Sequence, residues 1–353
     1  MLRTIYKPYL ILLLALAFSF NKKLQAQDIH FSQNYATPLL INPGMTGLMN
    51  GDVRIAAIYR NQWAAIMPGV SFRTMSISAD MAFPGLFEKD RFAAGLVLYN
   101  DRAGDLNWNT NYVDASLAYN LALATETYLS LGVQGGINQR NFDLNNARFG
   151  DQSDGSGFNP NLPTSDIIEA QNRTRLHLGA GAVFYRAVSS RKNIFAGFGM
   201  YHLNKPDISV SEAEDRFKNK VSAQVGGSFP VAAKWDVLPT AFYIQQGPLF
   251  KLDVGSFARY IFSTNRQSGL DKAFNIGVWL RTSRDINRAA GLNALVVAGK
   301  VDYENFSLGV SYDITLFTDL TTANNGRGGP EITFVYTGRV RSVRQGAINC
   351  PRF

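Results

Sequence analysis

The sequence predicts an all-β protein that forms a closed antiparallel transmembrane barrel of about fourteen strands with long extracellular loops. The first observation is that about fourteen segments alternate between apolar and small or polar residues, which is the signal of a strand. The second is their length, mostly about 10–14 residues, because a tilted strand needs roughly 9–11 residues to cross a bilayer. The third is that longer polar connections tend to alternate with shorter ones, as they do at the two ends of an outer-membrane barrel.

Residues 1–26 have the order of a secretory signal peptide. Arg3 and Lys7 precede an apolar run over residues 9–20, and Ala26 provides a small residue for cleavage. The run is about a dozen residues, which is shorter than the roughly 20 that a membrane-spanning helix needs. An uncleaved N-terminal anchor is the alternative. We therefore expect export from the cytoplasm and an outer-membrane location.

Residues 27–50 are expected to form a non-strand segment ahead of the barrel. Pro38, Pro43 and Gly47 interrupt strand pairing, because proline lacks an N–H and glycine weakens a regular strand. The segment could plug the lumen, cover the periplasmic mouth or act as a flexible linker. The apolar residues 39–41 favour the first two outcomes, since their surface gains from burial.

The barrel is predicted over residues 51–341. Its clearest segments carry one apolar, lipid-like face: Val53-Ile55-Ala57-Tyr59, Met75-Ile77-Ala79-Met81, Leu176-Leu178-Ala180-Ala182-Phe184, Phe274-Ile276-Val278-Leu280 and Phe306-Leu308-Val310-Tyr312. Long strands with no helical pattern between them favour closure, because an open sheet edge in hydrocarbon leaves backbone groups unpaired. A soluble secreted β-sandwich or propeller is the alternative.

The connections orient the barrel. With an even number of strands, both mature termini lie in the periplasm, the odd-numbered connections are extracellular, and residues 342–353 form a periplasmic tail. The third connection, 140–172, is the longest and is rich in Asn, Asp, Gly and Pro. One pair disagrees, because Gly247-Pro248 is a short turn on the outside and 263–272 is a longer one on the periplasmic side. Either a strand is misplaced there or the barrel has a local exception.

Aromatic residues near the strand ends are typical of the girdles at the two membrane interfaces. The residues concerned are Tyr59, Trp63, Phe83, Tyr99, Trp108, Tyr112, Phe229, Trp235, Phe262 and Tyr303.

The composition excludes several classes of function. The formal net charge is +8, but the first 26 residues contribute basic residues and no acid, so the rest carries only a mild, dispersed surplus. Such a surplus does not indicate nucleic-acid binding. A single Cys excludes an intrachain disulfide framework and a multi-Cys metal site.

No catalytic motif stands out. The histidines His30, His177 and His202 have no short metal-ligand spacing, and neither a nucleophile elbow nor a P-loop is present. The pairs Gly179/Gly181 and Gly197/Gly199 lie within alternating strands, so small lumen-facing residues are favoured over a dinucleotide site. We expect no enzyme activity and no cofactor.

The two ends of the mature chain carry motifs that resemble a known family. The N-terminal motifs are Gln27-Asp28-Ile29-His30-Phe31-Ser32-Gln33-Asn34-Tyr35, Leu40-Ile41-Asn42-Pro43-Gly44-Met45-Thr46-Gly47, Tyr59-Arg60-Asn61-Gln62-Trp63 and the alternating Thr74, Ser76, Ser78 and Asp80. Near the C-terminus stand Leu308-Gly309-Val310-Ser311-Tyr312-Asp313, Glu331-Ile332 and the final Cys350-Pro351-Arg352-Phe353. Together they resemble the PorP/SprF family of Bacteroidetes outer-membrane proteins, with Asn42-Pro43-Gly44 in place of an expected Asn-Pro-Ala.

The resemblance implies a non-catalytic component of the type IX secretion system. Such proteins support secretion or surface attachment of partner proteins, including gliding-type adhesins with a C-terminal sorting domain. The implied partners are that cargo, other secretion components, among them a periplasmic peptidoglycan-binding one, and outer-membrane lipid. A channel for small or hydrophobic solutes, of porin or fatty-acid-transporter type, is the main alternative, and an outer-membrane enzyme is another.

The residues that we single out for partner binding or a structural role come from these motifs. They are Gln33, Tyr35, Asn42, Pro43, Gly44, Gly47, Tyr59, Arg60, Gln62, Trp63, Cys350, Pro351 and Phe353.

Overall fold

A computed structural model describes most of the chain outside its two termini. The described residues are 28, 30–64, 71–87, 89–104, 106–143, 149–153, 157–159, 161–164, 172–207, 209, 216–264, 271–284, 290–316 and 326–339. The predicted signal peptide and the predicted tail, with Cys350, Pro351 and Phe353, lie outside these ranges. Within them, no helix has both the length and the apolar character to span a membrane.

Fourteen antiparallel strands form a closed barrel in which each strand pairs with its neighbours in sequence and the first pairs with the last. The strands are β1 (Val53–Gln62), β2 (Phe72–Pro84), β3 (Arg91–Ala103), β4 (Trp108–Ala124), β5 (Thr127–Asn141), β6 (Asn172–Ala187), β7 (Asn193–Tyr201), β8 (Lys220–Pro230), β9 (Trp235–Gln246), β10 (Leu249–Thr264), β11 (Asp271–Arg284), β12 (Gly291–Tyr303), β13 (Phe306–Thr315) and β14 (Arg327–Gly338). The predicted fold class and strand number are confirmed.

The alternation predicted from sequence corresponds to the two faces of the wall. Outward residues such as Ile77, Leu178 and Leu308 are at least half exposed, as lipid-facing side chains are in an isolated barrel. Inward residues are mostly buried, and they include polar groups, small residues and an apolar cluster that contains Phe257 and Trp279. Apolar side chains therefore cover the outside, and the interior holds the polar groups together with such apolar clusters.

The disputed stretch around residues 247–272 contains no misplaced strand. Strand β9 ends at Gln246, β10 begins at Leu249, and β11 begins at Asp271. Gly247 has a φ of 59°, a left-handed conformation that glycine adopts at little cost, and so it permits the two-residue turn. The short turn is a local exception to the pattern of connection lengths.

The aromatic residues divide between the two faces. Tyr59, Phe83, Trp235, Phe262 and Tyr303 face outward and are exposed. The girdle prediction is wrong for Tyr99 and Tyr112, which are buried in the lumen and stack with ring centroids 4.2 Å apart. They occupy the inward positions of β3 and β4, and the sequence pattern of strand ends does not record which face an aromatic residue takes.

We call the end where β1 begins and β14 ends the terminal end, and the opposite end, with the longest connections, the loop end. Residues 30–49, which we call the lumen segment, contain the helix α1 (Pro38–Ile41) between 3₁₀ turns at Asn34–Ala36 and Pro43–Met45. Pro38 and Pro43 each start a helical turn, where a missing N–H costs nothing. A further 3₁₀ turn lies at Gly150–Gln152.

The lumen segment runs along the inside of the barrel. Asp28 contacts residues at the loop end, whereas β1 starts at the terminal end. We expected both ends of the mature chain on one side; the structure instead separates Asp28 from Gly338, the last residue of β14. The chain doubles back because the lumen offers partners for the backbone and apolar groups of the segment.

Candidate functional site

The lumen segment and the inward side chains around it are the candidate functional site. Four side chains of the segment have no exposed surface: the apolar Leu48 and the polar Gln33, Asn42 and Thr46. A buried polar group without a partner is costly, so each of the three polar side chains should be hydrogen-bonded.

Asp28 lies in a polar cluster at the loop end. Its carboxylate is 2.6 Å from His202 Nε2 and 3.1 Å from Lys220 Nζ, and its N–H donates to Gln246 Oε1 at 2.7 Å. Burial opposes ionisation of Asp28, but His202 and Lys220 outweigh it and hold the pKa of the carboxyl well below its ordinary value. Next to this cluster, His177 Nε2 is 2.7 Å from Asp114 Oδ1.

An ionic network holds the next turn of the segment at the junction of the first and last strands. The N–H groups of Ser32 and Gln33 donate to the two carboxylate oxygens of Glu331 at 2.8 and 2.9 Å. Arg60 donates to the carbonyl oxygen of His30 at 2.6 Å. Arg60 on β1 and Glu331 on β14 are direct cross-strand neighbours. The segment therefore bridges the seam at which the barrel closes.

The network extends across the lumen to β10, β11 and β13. Arg281 donates to Asp253 at 2.8 Å, to Asp313 at 2.7 Å and to Ser32 Oγ at 2.7 Å, so each of its three guanidinium nitrogens donates one hydrogen bond. Lys251 lies 2.9 Å from Asp253. Charges buried in this way require such pairing, because an isolated ion in a dry site is strongly disfavoured.

Tyr35 packs into an aromatic group on the wall. Its ring meets Phe257 edge-on at 5.1 Å and stacks near Trp279 at 6.2 Å, and its hydroxyl donates to Gln33 Oε1 at 2.6 Å. Burial, followed by the charge of Glu331, raises the pKa of Tyr35 well above its ordinary value. The hydroxyl is therefore neutral and acts as a hydrogen-bond donor.

Asn42, Pro43 and Gly44 lie directly against glycines of the wall. An added Cβ at Gly132 would lie 2.2 Å from Pro43 O, and one at Gly181 would lie 2.0 Å from Asn42 Oδ1. These glycines are needed because the segment approaches too closely for a Cβ, with its backbone at Gly132 and with the Asn42 side chain at Gly181. Three of the small lumen-facing residues predicted from the sequence, Gly181, Gly197 and Gly199, thus form the surface of the wall on which the segment packs.

Hydrogen bonds fix this part of the segment to the wall. Asn42 Nδ2 donates to Ala182 O at 3.0 Å, while Asn42 Oδ1 accepts from Gly44 N at 2.8 Å. Ser130 Oγ donates to Gly44 O at 2.5 Å, and Ser222 Oγ donates to Ile41 O at 2.5 Å.

A buried ion pair holds the segment at the terminal end. Arg54 donates two hydrogen bonds to Asp80, at 2.9 and 2.7 Å, and one to Met45 O at 3.0 Å. Asp80 also accepts from Gly47 N at 2.8 Å. Gly47 has a φ of 70°, and an added Cβ would lie 2.2 Å from Ala93 Cβ, so only glycine fits.

Of the residues singled out from the sequence, the structure places six together in the lumen segment: Gln33, Tyr35, Asn42, Pro43, Gly44 and Gly47. A seventh, Arg60, lies beside them on the wall. Gln62 and Trp63 line a cavity at the loop end, and Tyr59 faces outward. The buried residues of the lumen segment and Arg60 therefore contact other parts of the barrel.

Sequence reasoning missed the wall residues that receive the segment, notably Arg54, Arg281, Asp253 and Ser222. A signal was available, because ionisable residues at inward positions of membrane-crossing strands are costly and need partners inside the protein. Partners separated by more than 200 positions, such as Arg281 and Ser32, cannot be paired from one sequence.

The site offers no metal centre in the part of the chain that the structure describes. No group of three or more His, Cys, Asp or Glu side chains there is arranged to hold a metal ion. His177 and His202 lie with ring centroids 5.4 Å apart, but each is paired with a single aspartate.

Comparison with known proteins gives one family match. The family model described as "Type IX secretion system membrane protein PorP/SprF" matches residues 23–336. No curated protein matches the sequence.

Solved structures share the fold. The CymD monoaromatic hydrocarbon channel is 8% identical over 86% of this chain and 93% of its own, with a TM-score of 0.50. A Pseudomonas aeruginosa FadL homologue is 12% identical over 84% of this chain and 92% of its own, with a TM-score of 0.46. At this identity the likeness to CymD concerns the barrel fold alone.

Proposed function

We propose that this chain, which belongs to the type IX secretion system membrane protein PorP/SprF family, supports the secretion or surface attachment of partner proteins without catalysing a reaction. The family match over residues 23–336 is the observation that carries the proposal, because it covers the lumen segment and nearly all of the barrel. The expected cargo is adhesin-like and bears a C-terminal sorting domain. Further partners are other secretion components, one of them bound to peptidoglycan in the periplasm.

The filled lumen supports a role in binding over free passage of solutes. The lumen segment is hydrogen-bonded to several strands, and one cavity between it and the wall, near Tyr35 and Phe242, has a volume of only about 60 Å³. A solute channel of porin or fatty-acid-transporter type remains the alternative. Conductance or solute uptake by the wild-type barrel would favour it.

Sidedness is the first test. We expect the loop end to face the cell exterior and the terminal end to face the periplasm. Ser153 lies in the longest connection and is exposed. In a Cys350→Ser background, Ser153→Cys should react with an impermeant thiol reagent on intact cells. Protection on intact cells, with labelling after lysis, would reverse the orientation.

Co-purification from native membranes is the second test. The tagged protein should retain a large secreted protein and other secretion components, and its deletion should remove that cargo from the surface. Deletion of residues 346–353 separates two roles for the tail. Loss of surface cargo with normal barrel levels indicates a partner site, and loss of the barrel indicates an assembly element. Normal surface cargo after deletion of the whole protein would contradict the proposed function.

A further inference from the structure

A second cavity lies at the loop end of the barrel, above the ionic network. Its volume is about 270 Å³, somewhat below the usual range of about 300–1,000 Å³ for ligand pockets. The charged or titratable residues that line it are His30, Arg60, Lys251, Arg281, Arg284 and Asp313. Three arginines and one lysine therefore meet one carboxylate at its surface.

The cations differ in how far the barrel satisfies them. Arg281 and Lys251 are buried and paired with Asp253 and Asp313, so they hold fixed positions at the cavity floor. Arg60 is also buried, and it lies 3.5 Å from carboxylate oxygens of both Asp313 and Glu331. The floor thus holds three cations in place, and Arg60 is the one with the longest ionic contacts.

Arg284 supplies the surplus charge. It is exposed at the end of β11, and no residue that the structure describes forms an ion pair with it. Three carboxylates, Asp253, Asp313 and Glu331, balance three of the four cations around the cavity. Among the residues that the structure describes, Arg284 therefore leaves a net positive charge at the entrance.

His30 is affected by the same positive charges. Its pKa lies well below the ordinary value because of burial and because of the positive charges of Lys251, Arg281 and Arg60. The histidine is neutral at pH 7, and it adds no charge of its own.

We propose that this cavity binds an anionic group, a carboxylate or a phosphate, that enters from the loop end and is contacted by Arg284 at the entrance and by Arg60 at the floor. Guanidinium groups suit both anions because their N–H donors match the spacing of the oxygens. The proposal concerns ligand chemistry and does not depend on the secretion role.

The test uses the purified full-length barrel in detergent, titrated by calorimetry with citrate and, separately, with inorganic phosphate. We expect saturable binding of at least one probe, and the stronger probe identifies the preferred anion. Arg284→Gln should weaken binding by about tenfold, as expected for loss of one charged contact of modest strength. Arg327→Gln is the matched control, because Arg327 is exposed at the start of β14 and does not line the cavity.

Arg284 lies at the surface, so its substitution should leave the fold intact, which the unfolding midpoint checks. Unchanged binding of the control together with weaker binding of Arg284→Gln supports the site. Absence of saturable binding of both probes overturns the proposal. Equal weakening by the two substitutions also overturns it, since that result indicates general attraction of anions to the rim.

Discussion

Gly132→Ala should release the middle of the lumen segment while leaving the barrel closed. The added Cβ would lie 2.2 Å from Pro43 O, 2.4 Å from Pro43 C and 2.7 Å from Gly44 N. All three atoms belong to the backbone, so no side chain can rotate away. The segment must retreat by about 1 Å or more to reach a normal contact of roughly 3.5 Å.

The cost follows from the contacts that such a shift breaks. Ser130 Oγ to Gly44 O, at 2.5 Å, and Asn42 Nδ2 to Ala182 O, at 3.0 Å, cannot both survive it. Each is worth about 1 kcal/mol, and the overpacking adds about 1–3 kcal/mol. A total of about 3 kcal/mol corresponds to a roughly 100-fold rise in the ratio of unseated to seated segment.

The assay is the rate at which a cysteine in the segment reacts with a soluble maleimide. Ile41→Cys in a Cys350→Ser background places the thiol at a buried position of α1. The rate should rise by up to about 100-fold in Gly132→Ala. Gly299→Ala is the control, because its Cβ would meet nothing closer than Val310 Cγ2 at 4.0 Å. Equal rates in the two variants would refute the conclusion that close backbone contact seats the segment.

Three further changes test other parts of the structure. Asp80→Asn removes the charge that Arg54 needs and should lower the free energy of unfolding by about 3 kcal/mol, measured from the urea midpoint; no shift would contradict the buried pair. Because the folded pKa of Asp28 is depressed, its stabilising contact is present above the ordinary carboxyl pKa of about 3.9 and disappears as pH falls through the lower folded value. The backbone amides of residues 30–33 should therefore stay protected from hydrogen exchange down to about pH 4, once the pH dependence of intrinsic exchange is corrected for. Loss of that protection between pH 7 and 5 would contradict the low pKa of Asp28. Leu117→Arg places a charge on the outward face of β4 and should cost about 2–4 kcal/mol of stability in bilayers, and an unchanged folding yield would exclude a lipid-facing position.

The barrel could be predicted from sequence because its signal is local. Alternation in segments such as residues 274–280 records which side chains face lipid, and strand length records the thickness of the membrane. The boundary at Gly247 looked anomalous only because connection length is a weaker guide than alternation.

The lumen contacts could not be predicted because they join distant positions. Asn42 can be recognised as part of a motif, but the wall residues that it contacts, Gly181 and Ala182, lie about 140 positions later. Glycines inside a strand show only that something comes close, and they do not identify what it is. Tyr99 and Tyr112 were assigned to the membrane interface for a similar reason, because aromatic residues fit either face of a strand.

The bridge between the lumen segment and the barrel seam has a consequence for the order of biogenesis. Ser32 precedes its partner Glu331 by 299 positions, so a segment ahead of the first strand depends on a residue of the last strand. Until β14 pairs with β1, the N–H groups of Ser32 and Gln33 lack the carboxylate that receives them. A chain that stalls before its final strand therefore lacks the two hydrogen bonds that Glu331 accepts from Ser32 and Gln33. These contacts can form only after the last strand has closed the barrel.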